Sequence, residues 1–301
     1  MPYVTAAEET ELYVKEWGPI SGRPVVLIHG WPLNADSFDD VALGLANAGF
    51  RAISYDRRGF GRSDQPWSGY DYDTFADDLA TVIEQCDAED VALVGFSMGG
   101  GEVARYLSKH GVTNVTQVAL ISSVVPFMLK TADNPAGVDQ SVFDEMTAGM
   151  KDDRAGFMQT FAKQFFGVGF LTSAVSDAVL DGFFQSAMMA GLHPTLAAAK
   201  AFATTDFRSD TASFTVPTLI IHGTGDQVVP IDSSAREAIK HIPHAKFIEY
   251  DGAPHGVLVT HKTEVLRDLL SFLNGDEVSA AQEIPGIDRI DPTIAGLQPA
   301  Y

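Results

Sequence analysis

The stretch VALVGFSMGGGEVARYL, residues 91–107, decides the reading of this chain. Val91 to Gly95 is an apolar run of strand length, and residues 98–110 carry a helical period. Between them, Gly95-Phe96-Ser97-Met98-Gly99 is G-x-S-x-G in the strand–turn–helix setting that the motif needs. A serine on so sharp a turn sits in strained backbone space. Small residues two before and two after it leave room for the turn. Its hydroxyl then projects near the positive end of the following helix.

A serine hydroxyl is a poor nucleophile until a base takes its proton. Eight histidines are available. His255, in the Gly/Pro loop of DGAPHGVLVTH, follows the last expected strand and is the candidate base. His29 and His222 end strands and are each followed by glycine, which points to structural hydrogen bonds. His110, His241 and His244 fall at helix ends, and His241-x-x-His244 spans a proline, so it reads as a helix end and not as a metal site. His261 starts the last helix and is the weaker rival. The base in turn needs an acid to hold its tautomer. Asp226, in the glycine-rich loop of TLIIHGTGDQVVP, is that candidate. Asp232 reads as a helix N-cap, and Asp251 as part of a turn. Ser97, Asp226 and His255 follow the order Ser…Asp…His.

Acyl chemistry also needs donors for a tetrahedral oxyanion: the N–H of the residue after the nucleophile, Met98, and one from a loop after an earlier strand. VVLIHGWPLNADSF, residues 25–38, supplies that loop. Pro32 has no N–H, so Trp31 is the donor, and its ring can wall an acyl pocket. Pro32 also restricts the conformation of Trp31. That restriction also fixes where the Trp31 carbonyl points.

Outward from this centre, strands are expected over Glu11 to Trp17, Pro24 to Ile28, Arg51 to Tyr55, Val115 to Ile121, Thr218 to Ile221 and Lys246 to Tyr250. Helices are expected over 36–48, 71–86, 232–241 and 262–273. Such alternation implies an α/β fold with a mostly parallel sheet covered on both faces. The alternation breaks over residues 126–213, which hold most of the Phe and Met and no convincing strand. They read as a helical cap inserted into a core of residues 1–125 and 214–274. Residues 275–301 lack periodicity and read as an extended tail.

The chain has 301 residues, 46% of them hydrophobic, with 20 Lys+Arg against 40 Asp+Glu and a net charge of −20. That charge repels nucleic acid and anionic lipid, so neither is expected as a partner. No apolar run approaches the roughly 18 residues of a membrane span. Cys86 is the single cysteine, so no internal disulfide can form. The start of the chain has no signal-peptide pattern. A cytoplasmic protein is expected.

HGWPL, YDRRGFGRSDQPWSGYDYDTFADDLATVI, VGFSMGGGEVARY, TDFR, PTLIIHGTGDQVVP and GAPHG together resemble the cofactor-free haloperoxidases and bacterial aryl esterases of the α/β-hydrolase superfamily. The resemblance runs from about residue 10 to 274 and leaves the tail outside. It implies an eight-stranded sheet with a helical cap, and a Ser–His–Asp enzyme that uses no metal, haem or other cofactor. The implied substrates are small esters, short carboxylic acids and H2O2, the last giving a peracid that oxidises halide away from the site; given that chemistry, the Trp31 carbonyl is expected to accept a hydrogen bond from the peroxide. Positions matching the family's pocket are Val124, Phe127, Phe161, Phe202, Val228 and Ile231, beside Trp31 and Pro32. Arg57 and Arg58 sit inside a family string and read as structural. A homo-oligomer, trimer or hexamer, is implied too. A lactonase or γ-lactamase is the alternative enzyme, and a slow-turnover small-molecule receptor the alternative outside catalysis.

Overall fold

The computed structural model describes residues 2–169 and 174–276. All but the first two residues of the expected tail, 277–301, lie outside them. Among the described residues the chain builds an eight-stranded sheet. Its members are β1 (Tyr3–Thr5), β2 (Glu11–Trp17), β3 (Pro24–Ile28), β4 (Arg51–Tyr55), β5 (Val91–Phe96), β6 (Val115–Ile121), β7 (Thr218–Gly223) and β8 (Lys246–Tyr250). Their spatial order is β1-β2-β4-β3-β5-β6-β7-β8. β1 pairs antiparallel with β2, and β2 with β4; every later pairing is parallel. The mostly parallel α/β sheet expected from the sequence is the one observed.

β3, β4, β5 and β7 are buried at every residue. Successive side chains point to opposite faces, so both faces must be covered. α2 (Tyr72–Gln85) packs on α3 (Met98–His110), and α1 (Asp39–Asn47) packs on α9 (Lys262–Asn274). β2 instead alternates buried and part-exposed residues, as suits a strand near the sheet edge.

Between β6 and β7 the chain forms α4 (Gln140–Phe165), α5 (Asp177–Met189) and α6 (Leu192–Thr204). α4 is two helical segments joined at Asp153, whose φ/ψ of −142°/88° break the helix. The Asp153 carboxylate accepts the Gly156 N–H at 2.9 Å and so caps the second segment. α7 (Ala235–His241) and the short α8 (Val257–Thr260) complete the described helices. No helix among the described residues is long and apolar enough to cross a membrane.

Three local expectations change. β1 has only three residues, too few to show a period. The helix expected over 36–48 opens as a 3-10 turn, Ala35–Phe38, before α1 begins. The helix expected over 232–241 starts only at Ala235, because Ser233 and Ser234 turn back onto the Pro230 carbonyl. Asp232 is therefore not its N-cap, and its carboxylate accepts from Arg236 at 2.8 Å instead.

Leu93 lies at the middle of β5 with no exposed surface. Leu93→Ala is expected to lower unfolding free energy by about 2–5 kcal/mol, read from the urea midpoint at unchanged slope.

Candidate active site

β5 ends one residue before Ser97, and α3 begins one residue after it. Ser97 takes φ 54° and ψ −119°, a left-handed conformation held from both sides. Its N–H donates to the Ile121 carbonyl at 2.9 Å, and its own carbonyl accepts from Gly100 at 3.0 Å. A side chain at Gly99 would put its Cβ 2.2 Å from the Ile28 carbonyl oxygen, and one at Gly95 would put it 2.7 Å from the Gly100 Cα. The two flanking glycines are thus required by close backbone packing.

The loops after β7 and β8 bring the other two groups in. His255 Nε2 lies 2.9 Å from Ser97 Oγ, and its Nδ1 lies 2.7 Å from Asp226 Oδ2. An Nδ1–H donating to the carboxylate leaves Nε2 free to accept a proton from the serine. Asp226 Oδ1 accepts the Val228 and Val229 N–H groups at 2.9 and 2.8 Å. Burial works to raise the Asp226 pKa, but His255 and His222 beside it outweigh that and hold it well below the usual carboxylate range. His222 contributes from 3.2 Å, and its Nε2 also lies 2.9 Å from the Val229 carbonyl. All three groups are buried, and the Phe96 and Phe165 rings pack on His255 at 5.2 and 4.8 Å. His261, the rival, stacks on Tyr250 and pairs with the Thr260 hydroxyl.

The loop after β3 meets the serine directly. A Cβ at Gly30 would lie 2.8 Å from Ser97 Cβ. The Leu33 N–H donates to the Gly30 carbonyl at 3.0 Å and closes the turn through Trp31 and Pro32. The Trp31–Pro32 peptide is cis. Among the described residues the Trp31 backbone N–H has no hydrogen-bond partner. As the first residue of α3, Met98 has an N–H without an intrahelical acceptor. Two donors are therefore available to a developing oxyanion.

Beneath this loop lies a buried polar cluster. The Arg57 N–H donates to His29 Nε2 at 2.9 Å, which leaves His29 Nδ1 to donate to the Gly30 carbonyl at 2.9 Å. Burial, then the Arg57 charge, hold the His29 pKa well below its usual value, so the ring is neutral. Arg57 also donates to the His29 carbonyl at 2.8 Å and to the Glu102 carboxylate at 2.6 Å. Tyr55 donates to the same carboxylate. Arg58 forms a two-pronged pair with Asp78, both contacts 2.6 Å. Both arginines are structural, as their sequence context suggests.

A cavity of about 350 Å³ opens on Ser97. Trp31, Val124, Phe161, Phe202 and Val228 line it, five of the expected pocket positions. The Trp31 ring meets Phe161 and Phe202 at 5.3 and 5.7 Å. Three expected positions do not line it: Pro32, Phe127 and Ile231. Phe127 bridges to Asp206 and lies under the Arg208 guanidinium, and Ile231 is buried in the core. Phe143, Met146 and Val142 of α4 line the cavity without having been singled out; their spacing gives an apolar helix face but not what it faces. Among the described residues no cluster of three or more His, Cys, Asp or Glu could hold a metal ion.

A serine elbow at the carboxyl edge of such a sheet, with His and Asp from later loops, is the architecture of α/β hydrolases. The family model described as alpha/beta hydrolase fold matches residues 23–262. A non-heme chloroperoxidase of Kitasatospora aureofaciens, CPO-A1, is 42% identical over 91% of this chain and all of its own length. The bifunctional esterase/perhydrolase DCH of Acinetobacter calcoaceticus is 37% identical over 91% of this chain and 99% of its own. The crystal structure of a bromoperoxidase from Bacillus anthracis superposes with a TM-score of 0.87, at 42% identity, covering 90% of this chain and 99% of that one. The chain belongs to the α/β-hydrolase fold family, and within it to the group that holds the non-heme haloperoxidases and esterase/perhydrolases.

Gly30→Ala is expected to destabilise the fold by about 1–3 kcal/mol in urea unfolding, because the new methyl group overpacks Ser97 and the Phe96 ring.

Proposed function

We propose that this enzyme hydrolyses small carboxylic esters, aryl esters among them, through an acyl-enzyme on Ser97, and transfers the same acyl group to hydrogen peroxide. The observation that carries the proposal is the continuous Ser97–His255–Asp226 hydrogen-bond relay opening on an apolar cavity. The names of the relatives, chloroperoxidase and esterase/perhydrolase, support the pair of activities.

In this mechanism Ser97 Oγ attacks the acyl carbonyl while His255 Nε2 takes its proton. Asp226 stabilises the imidazolium that results. The Trp31 and Met98 N–H groups bind the oxyanion. Collapse of the tetrahedral intermediate expels the alcohol, which His255 protonates. Water or hydrogen peroxide, deprotonated by His255, then attacks the acyl-serine. Water yields the acid and peroxide yields the peracid, and both restore Ser97–OH. The peracid oxidises halide in solution, so halide needs no site on the protein. Val124, Phe161, Phe202 and Val228 supply an apolar wall that suits short acyl and aryl groups.

The same proposal covers the division into a core of residues 1–125 and 214–274 and a cap of residues 126–213, supported by the three helices between β6 and β7. Cytoplasmic residence is part of it, supported by the absence of any possible intramolecular disulfide. So is a trimer or hexamer, supported by exposed Trp67, Met189 and Leu192 near one another at the edge of α6.

Ser97→Ala and His255→Ala are each expected to reduce p-nitrophenyl acetate turnover by roughly 10⁶-fold, and Asp226→Asn by roughly 10⁴-fold. His261→Ala is expected to leave it within about twofold, since that ring acts on neither reacting group. Wild-type turnover that survives Ser97→Ala overturns the mechanism. Pro32→Leu is expected to lower the ratio of peracid formation to hydrolysis, read by peroxide-dependent bromination of a dye. An unchanged ratio refutes the role of the Trp31 carbonyl as peroxide acceptor.

A further inference from the structure

The methionines of this chain sit in three different surroundings. Met98, Met128, Met150 and Met158 are buried, each with at most 1% of its surface exposed. Met188 and Met189 end α5 and are exposed. Met146 is neither. Phe143 and Met150, one turn to either side of it, are buried, so the three form the inward face of the first segment of α4. The half-buried Met146 side chain lines the cavity that opens on Ser97. Among the described residues it brings that cavity its one sulfur atom.

That position matters because of what the cavity produces. In the proposed chemistry a peracid forms on the acyl group of Ser97, inside the same walls. The Met146 sulfur therefore meets the oxidant at a higher local concentration than any thioether outside does. The Phe, Val and Pro side chains around it resist a peracid, whereas a thioether is converted to its sulfoxide.

We infer that Met146 is an oxidation site of this enzyme, modified by the peracid that its own cavity makes. This rests on the proposed perhydrolysis. The outer oxygen of the peracid passes to the Met146 sulfur. The O–O bond breaks, the S–O bond forms, and the peracid proton stays with the carboxylic acid that leaves. The sulfur is oxidised by two electrons and the peracid is reduced to the acid. The product is a polar, chiral group in a wall otherwise shaped by Phe143, Phe161 and Phe202. Apolar acyl chains that reach this wall then bind less well, so perhydrolysis limits itself on such substrates.

The test uses the full-length chain with ethyl acetate and hydrogen peroxide, and free methionine at about 10 mM to quench peracid in solution. Sulfoxide is located by peptide mass spectrometry. Met146 is expected to carry at least about fivefold more of it than Met188 or Met189, and Ser97→Ala in the same peroxide is expected to leave Met146 unmodified. Peracetic acid added from outside without the quencher is expected to reverse the order, because Met188 and Met189 are the exposed pair. In the oxidised enzyme the KM for p-nitrophenyl butyrate is expected to rise about threefold and that for p-nitrophenyl acetate to stay within about 1.5-fold. Met146→Leu is expected to keep its own starting KM values through the same treatment. Peroxide-dependent bromination of a dye reports peracid on the same samples. Peracid without excess sulfoxide at Met146, equal sulfoxide in Ser97→Ala, or an unmoved butyrate KM overturns the inference and leaves perhydrolysis standing. No peracid from the wild type overturns both.

Discussion

The close approach of α3 to the end of β3 is the constraint on which the corner at Ser97 depends. Gly99 lies against the Ile28 carbonyl with no room for a Cβ, and Gly30 lies against Ser97 in the same way. The serine turn and the loop carrying Trp31 therefore pack as one body, with no room for a side chain at Gly30 or Gly99. A serine at φ 54° is unfavourable alone, but here three neighbouring backbone groups determine it: Ile121, Gly100 and Val124 all bond to Ser97 main-chain atoms. Once that body is rigid, His255 and Asp226 need only reach it from two further loops.

What lies beneath it is charged and dry. Glu102 and Arg57 are both fully buried, a costly choice unless every polar atom finds a partner. Burial pushes the Glu102 carboxyl up, and it pushes the Arg57 guanidinium down to about 10 against the opposing pull of Tyr72 and Asp78. Arg57 reaches the ring and the carbonyl of His29, and Glu102 belongs to α3, so the pair joins the strand-end loop to the helix that follows Ser97. Removal of either partner leaves a buried polar group without its hydrogen-bond partner beneath the loop after β3.

The sheet and the Ser97 turn are legible in the sequence because their signals are local. Continuous apolar runs marked β3, β5 and β7, and a glycine-flanked serine between strand and helix marked the turn. His255 and Asp226 were placed by their loops, each directly after a strand. The limits have physical causes as well. β1 is too short to show alternation, and the antiparallel sense of β2 is set by its partner β4, not by its own residues. The faces of α4, α5 and α6 depend on long-range packing, so in sequence Phe143 and Met146 look no different from core residues. Phe127 and Ile231 are apolar and close in sequence to cavity residues, yet their side chains are committed elsewhere.

Trp31 has one bond that reaches beyond the core. Its indole Nε1–H donates to the Thr195 carbonyl of α6 at 3.0 Å, and Arg154 of α4 reaches the Thr195 hydroxyl and the carbonyls of Ala187 and Ala190. The residue whose loop lies against Ser97 is thus pinned to the same helices that shape the cavity opening on it. In such an arrangement selectivity and rate do not evolve as separate traits. A lineage that reshapes α6 to admit a bulkier acyl group also moves the anchor of Trp31, and must recover turnover by later adjustment. The route to new substrates is then a sequence of paired steps, each change in the roof followed by a repair at the hinge of the loop.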